Sequence, residues 1–345
     1  MGKRRSQPAE PVEAEIPLGK YLASTEKRVR DRAIRSLAAF VLKSAEETGL
    51  SLEATELSKL WKGIFYCFWM SDKPLVQQEL ALELANLVLM IAGIKLDATG
   101  ERLERVPSKV DDTARALAAL DFFQGFWTTM QSEWHGVDKF RINKYYLLMR
   151  RFLHTGLQLL ALHAYPSILV QRFNAVMRGT EGPLASNNVR VPDSITYHIC
   201  DIYLDELEQS IAEMEDTDAT VPILDLLSPF MELASTSQSK RMFDRVMASV
   251  LTPFLEECEK RSIASGQDRK RRRVESEASE PRYDSIFSHV QVEVDDDEDE
   301  DNTMAFLHKQ ALQRIVATAS GSDTYAPSRR KLYDLWKAAQ ERDVS

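Results

Sequence analysis

Leu57-Ser58-Lys59-Leu60-Trp61-Lys62-Gly63-Ile64-Phe65-Tyr66-Cys67-Phe68-Trp69-Met70-Ser71-Asp72-Lys73-Pro74 is the stretch whose pattern decides the fold. Leu57, Leu60, Trp61, Ile64, Phe65 and Phe68 recur every third or fourth residue, which lays one apolar stripe along a helix. Trp61, Phe65 and Phe68 share that stripe and are expected in the core. Met70 to Pro74 breaks the pattern. Ser71 or Asp72 can cap a new helix there, and Pro74 is tolerated in its first turn.

The same period extends in both directions. Upstream, Ile34, Leu37, Ala38, Val41, Leu42 and Ala45 form one stripe; downstream, Leu80, Leu84, Leu87, Val88 and Ile91 form the next. A polar segment from Lys95 to Asp112 holds the breakers Gly100 and Pro107. Further helices are marked by Leu120, Phe123, Trp127 and Met130, then from about Asp138 to Ala164, then by Leu169, Phe173, Val176 and Met177. The loop Gly179 to Pro192 precedes a helix begun by Ile195, Ile199, Ile202 and Tyr203, and Pro222 begins a short one. Phe243, Val246, Met247, Val250, Leu251, Phe254 and Leu255 form a strong stripe that Pro253 should kink or split. No segment reads convincingly as a strand. His289 to Val294 alternates, but it abuts an acidic run and reads as linker. Helix pairs starting near residues 25, 74, 138 and 194 predict an all-α, HEAT-like or armadillo-like helical-repeat array.

Residues 1–16 read as a disordered basic tail, 17–261 as the helical domain, 262–302 as a disordered charged linker and 303–345 as short C-terminal helices. In the last segment, Leu312, Ile315 and Val316 mark one helix, and Leu332, Leu335, Trp336 and Ala339 another. The 345 residues are 44% hydrophobic and 28% charged, enough for a sizeable core. Eight of the negative charges lie at Glu293 and in the run Asp295 to Asp301, so a net charge of -9 falls to -1 without them. A near-neutral remainder excludes a protein coated in positive charge, so contact with nucleic acid must come from local patches.

Catalytic patterns are absent: the sequence has no GxxxxGK[ST], HExxH or GxSxG. Cys67, Cys200 and Cys258 are odd in number and widely spaced, which implies neither a disulfide framework nor a zinc site. His154 and His163 are about 900° apart on a helix and so face opposite ways. No cofactor is expected. Glu46-Glu47 and Asp111-Asp112 read as solvated or capping carboxylates. The polar N-terminus carries no secretory pattern, and Leu84 to Ile94 falls short of the roughly 20 apolar residues of a membrane span. Met1-Gly2-Lys3-Arg4-Arg5-Ser6 fits the permissive myristoylation pattern, but a solvated tail explains it as well.

Two basic stretches are candidates for function. Arg269, Lys270, Arg271, Arg272 and Arg273, beside Lys260-Arg261, read as a nuclear localisation signal or as a nucleic-acid patch, against a plain solvated run. Lys139, Arg141, Lys144, Arg150 and Arg151 are interleaved with Tyr145 and Tyr146. Arg141, Lys144 and Arg151 fall on one helical face, which can meet phosphates or be merely the solvated side opposite Ile142, Met149, Phe152 and Leu153. The acidic run is a shield for the Arg269 to Arg273 block, a contact for basic partners such as ribosomal proteins, or merely solvated.

Three ordered blocks carry a resemblance. Leu60 to Gln77 is similar to the most distinctive block of the ribosomal RNA processing protein 1 family. Glu133-Trp134-His135-Gly136-Val137-Asp138-Lys139-Phe140-Arg141, with Lys144-Tyr145-Tyr146 and Arg150-Arg151, resembles a second block. Val191-Pro192-Asp193-Ser194, leading to His198 and Tyr203-Leu204-Asp205-Glu206-Leu207, resembles a third. The C-terminal Arg329-Arg330-Lys331-Leu332-Tyr333 is similar with less weight. The resemblance covers residues 20 to 260. It implies a helical-repeat fold without enzymatic activity, in the nucleus and nucleolus. It also implies a scaffold role in pre-60S particles, supporting precursor rRNA processing beside assembly factors and ribosomal proteins, with no membrane partner. Some relatives carry a long basic C-terminal tail, and the functions of such tails are not carried over to this chain. The alternatives are a cytoplasmic HEAT-like protein-interaction adaptor without RNA association, and a nuclease on an unfamiliar helical fold.

Overall fold

The computed structural model describes residues 18–47, 54–97, 102–214, 218–265, 282–290 and 303–343. Among the described residues fourteen α-helices follow one another: α1 (Leu18–Leu22), α2 (Lys27–Glu47), α3 (Ala54–Trp69), α4 (Pro74–Ile91), α5 (Asp112–Glu133), α6 (Ile142–Leu162), α7 (Ser167–Arg178), α8 (Asp193–Ala212), α9 (Ile223–Thr236), α10 (Lys240–Val246), α11 (Thr252–Ser265), α12 (Asp284–Ser288), α13 (Thr303–Ala319) and α14 (Ala326–Asp343). Each of the first eight packs on the helix two places further along, so α1, α3, α5, α7 and α9 form one row and α2, α4, α6, α8 and α10 a second. This two-layer stacking is the geometry of a helical-repeat array. The helix starts expected near 25, 74, 138 and 194 belong to the second row.

The stripes read from sequence meet between the rows. Trp61, Phe65 and Phe68 are buried, at 2%, 4% and 0% exposure. Trp61 lies 4.4 Å from Phe122 and 5.5 Å from Phe152, and Phe126 stacks on Phe152 at 3.9 Å. Gly63 permits the α1–α3 crossing, because a Cβ there would stand 2.8 Å from the Gly19 Cα. α4 is long and apolar enough by composition to cross a membrane, yet Leu80, Leu84, Leu87, Val88 and Ile91 are buried within the array.

Four details differ from the sequence reading. First, the polar segment after α4 holds a two-stranded antiparallel hairpin, β1 (Ile94–Leu96) with β2 (Arg102–Arg105). Gly93, at φ +80°, turns the chain out of α4 into it, a conformation open to glycine. Arg115 secures the hairpin by donating from Nη1 to the Val106 carbonyl at 3.0 Å. Second, the cap of α4 is Lys73, with no side-chain cap; Gln77 Nε2 instead donates to the Ser71 and Asp72 carbonyls at 2.9 and 3.1 Å. Third, the split expected at Pro253 is present but falls before it, as a π-helical turn at Met247–Leu251, which leaves Pro253 in the first turn of α11. The wider turn absorbs the donor that proline lacks.

Fourth, part of the expected linker is folded. α11 runs on to Ser265, and α12 packs on α8 with Ile286 and Phe287 buried. Phe287 stacks on Phe254 at 5.6 Å, and the Glu208 carboxylate accepts from Ser285 N and Ile286 N at 2.8 and 2.9 Å. α13 and α14 pack on α9, and α13 also on α11, so they close the end of the same core. Residues 1–16 and the block 269–273 lie outside the described residues.

Candidate functional site

The α3–α4 turn has backbone carbonyls that no intrahelical donor reaches, as every helix end does. The start of α6 supplies the donors. Lys144 Nζ donates to the carbonyls of Phe68, Trp69 and Ser71 at 3.0, 2.7 and 2.8 Å. Beside it the Tyr145 hydroxyl donates to the Phe65 carbonyl at 3.1 Å, and its ring stacks on Phe65 at 4.8 Å. The Arg141 guanidinium lies 4.6 Å from the Trp69 ring centroid and pairs with Asp138. Lys62 and the Tyr66 hydroxyl both reach the Glu133 carboxylate, at 3.3 and 3.1 Å. The third block joins through α8: Trp134 Nε1 donates to Ser194 Oγ at 3.0 Å, and His198 lies 4.3 Å from Tyr146, ring to ring. The three blocks therefore fold into one corner and are shaped largely by their contacts with each other.

This geometry corrects the proposed basic face. Lys144 is only 6% exposed, and burial together with the nearby Arg141 charge pushes its pKa down to about 8. It is a structural donor and leaves no ammonium for a phosphate. Spacing showed that Arg141, Lys144 and Arg151 share a side; it could not show that the carbonyls of α3 lie on that side. Arg150 is also engaged, its Nε 3.0 Å from Glu206, although its side chain is 43% exposed. Glu206 further contacts His154 Nδ1 at 3.2 Å, and His154 Nε2 meets Glu213 at 3.1 Å. Burial disfavours the imidazolium, but the two carboxylates outweigh it and hold the His154 pKa up at about 9. Arg151 is half-buried, and Lys139 is exposed.

Of the five predicted residues, Lys139 faces solvent freely, with Phe140 beside it at 83% exposure. Met70 and Leu75 on the α3–α4 turn are also exposed, at 36% and 72%. The resemblance covered these apolar residues, but periodicity gave them no role; their signal was position off the buried stripes. Among the described residues, no group of three or more His, Cys, Asp or Glu side chains is placed to hold a metal ion. Cys67, Cys200 and Cys258 are buried and free, and burial raises each thiol pKa. What the corner offers chemically is contact: aromatic faces, apolar side chains and a cation on rigid helices.

Two stacked rows of helices, joined by a clasp in which a lysine and a tyrosine donate to helix-end carbonyls and an arginine covers a tryptophan ring, define an α-helical repeat protein. The chain belongs to the nucleolar protein Nop52 family, whose model matches residues 13–335. It is 30% identical over 246 residues to "Ribosomal RNA processing protein 1 homolog B" of Homo sapiens, covering 71% of this chain and 28% of that one. To human "Ribosomal RNA processing protein 1 homolog A" it is 28% identical over 243 residues, covering 70% and 47%. To "Ribosomal RNA processing protein 1 homolog" of Drosophila melanogaster it is 29% identical over 243 residues, covering 70% and 31%. The chain thus spans less than half the length of each of these relatives, and its resemblance to their family is borne out.

Proposed function

We propose that this protein is a non-catalytic assembly factor of the large ribosomal subunit. It acts in the nucleolus as a scaffold within pre-60S particles and supports the processing of precursor rRNA. The observation that carries this reading is the family match over residues 13–335, together with relatives named for ribosomal RNA processing. The two-row array supports it physically, since stacked helices present an extended surface that can hold several partners at once. Partners of that surface are other pre-60S assembly factors, ribosomal proteins and precursor rRNA. Lys139, with Phe140, is the accessible basic part of the corner; Arg150, paired with Glu206, and the half-buried Arg151 lie further along α6. Arg269 to Arg273 serve nuclear entry on this reading. Depletion of the protein, followed by northern analysis of rRNA intermediates and by sucrose gradients, tests it. Large-subunit precursors should accumulate, and the protein should co-sediment with them. Unaltered precursors after depletion would remove the assignment.

A further inference from the structure

We propose that the outward face of α2 is a binding track for the phosphate backbone of single-stranded RNA. The inference rests on the ribosome-assembly reading and adds a site to it. α2 is the terminal helix of its row, packed on α1 and α4. Its inner side, with Ala33, Ile34, Leu37, Val41 and Ala45, is buried. Its outer side exposes Arg28, Arg32, Arg35, Ser36, Ala39, Phe40 and Lys43. At 100° per residue, Arg28, Arg32, Arg35, Ala39 and Lys43 fall within an arc of about 80° and span about 22 Å of helix.

The cations on the two sides are treated differently. Arg30, turned inward, donates to the Ser24 and Thr25 carbonyls at 2.9 and 3.0 Å, and Lys27 pairs with Asp31 at 2.6 Å. Arg35 faces Glu83 across the groove between α2 and α4. Arg28, Arg32 and Lys43 form no ion pair among the described residues. The end of a repeat array needs a polar face for solubility, but mixed charge would serve. Here unpaired positive charge is concentrated on the open side, up to Glu46 at its far end.

That pattern fits a regular polyanion better than an acidic protein. One helical turn, about 5.4 Å, is close to the separation of successive phosphates along a strand. Arginine presents a planar fork suited to phosphate oxygens. Ser36 and Ala39 leave a low floor between the cations, over which a backbone can run. Phe40, 47% exposed at the edge of the track, offers one ring for a base to stack on. A stable protein partner would call for an apolar centre, and this face has only that ring.

The test uses the full chain and a labelled oligouridylate of about twelve nucleotides, within the usual site size. Fluorescence anisotropy gives Kd at several salt concentrations. The triple variant Arg28→Gln/Arg32→Gln/Lys43→Gln should bind at least about tenfold more weakly near 0.1 M salt, with the slope of log K against log salt reduced by roughly 2. Phe40→Ala should weaken binding several-fold with the slope unchanged, and Lys240→Gln on α10 should change neither. Circular dichroism verifies that each variant is folded; the single variant Arg32→Gln, with a slope reduced by about 0.7, serves if the triple variant is not. Equal binding by folded wild type and variant overturns the proposal. So does wild-type binding of a polyglutamate peptide, but not of RNA, through the same three residues. Absence of RNA binding in a protein that still co-sediments with large-subunit precursors overturns the track alone, whereas unaltered precursors after depletion overturn the reading beneath it.

Discussion

At Lys144 a single ammonium satisfies three backbone carbonyls, and this fixes the angle at which α6 meets the α3–α4 turn. Lys144→Ala should therefore cost about 2–4 kcal/mol in chemical denaturation, since buried acceptors lose a charged donor. Lys139→Gln, nearby in sequence but exposed, should shift stability by no more than about 0.5 kcal/mol. Equal effects of the two changes would contradict the buried assignment. His154 gives a pH signature. Its folded pKa, about 9, stands above the ordinary value of 6.5, so the contribution is complete below pH 6.5 and declines as pH rises through 9. The full contribution is of order 3 kcal/mol. His154→Gln should flatten that decline relative to wild type, read from urea midpoints between pH 6 and 9. A parallel pair of curves would rule the contribution out. Sequence showed that residues such as Trp61 and Phe65 are core, because aromatic stripes have one favourable side. It could not show the direction of Lys144, because a lysine on an amphipathic helix reads as solvated until the acceptors facing it are known.

Among the elements, the long helices were legible because each carries its period over several turns. The short ones were not. β1 and β2 are three and four residues long and rich in Lys, Arg and Glu; tertiary contacts such as Arg115 hold them, not alternation. α12 has five residues, and its N-terminus is capped from another helix, by Glu208. Glu208→Ala should loosen it at a cost of about 1 kcal/mol, the usual worth of a cap. Limited trypsinolysis should then cut faster at Arg282, and an unchanged rate would count against the capping role. At the α1–α3 crossing, Gly63→Ala places a methyl 2.8 Å from the Gly19 Cα and should cost about 1–3 kcal/mol by thermal melting. A neutral result would mean that α1 separates from α3 readily.

For the molecule as a whole, the two-row stack followed from repeated stripes and short breaks, whereas the extent of the domain did not. Composition placed a boundary at residue 261, but Leu307, Ala311, Leu312 and Ile315 of α13 are buried in the common core. Charge runs in a sequence report local solvation and are silent about what folds beyond them. Removing residues 303–345 should therefore lower Tm markedly and promote aggregation through the bared sides of α9 and α11. A truncated chain that melts like the full one in calorimetry would restore the boundary.

α9 has nine of its fourteen residues buried. Its covering is completed late: Arg314 of α13 pairs with Asp225 across 89 residues of sequence. Most other helices are enclosed by neighbours one or two places away. During synthesis the first rows can stack in the order in which they leave the ribosome, each new helix finding its site already built. α9 cannot complete its packing this way. It must wait, with apolar sides uncovered, until α13 has emerged. The interval between those two moments is when a growing chain of this protein is most in need of a chaperone.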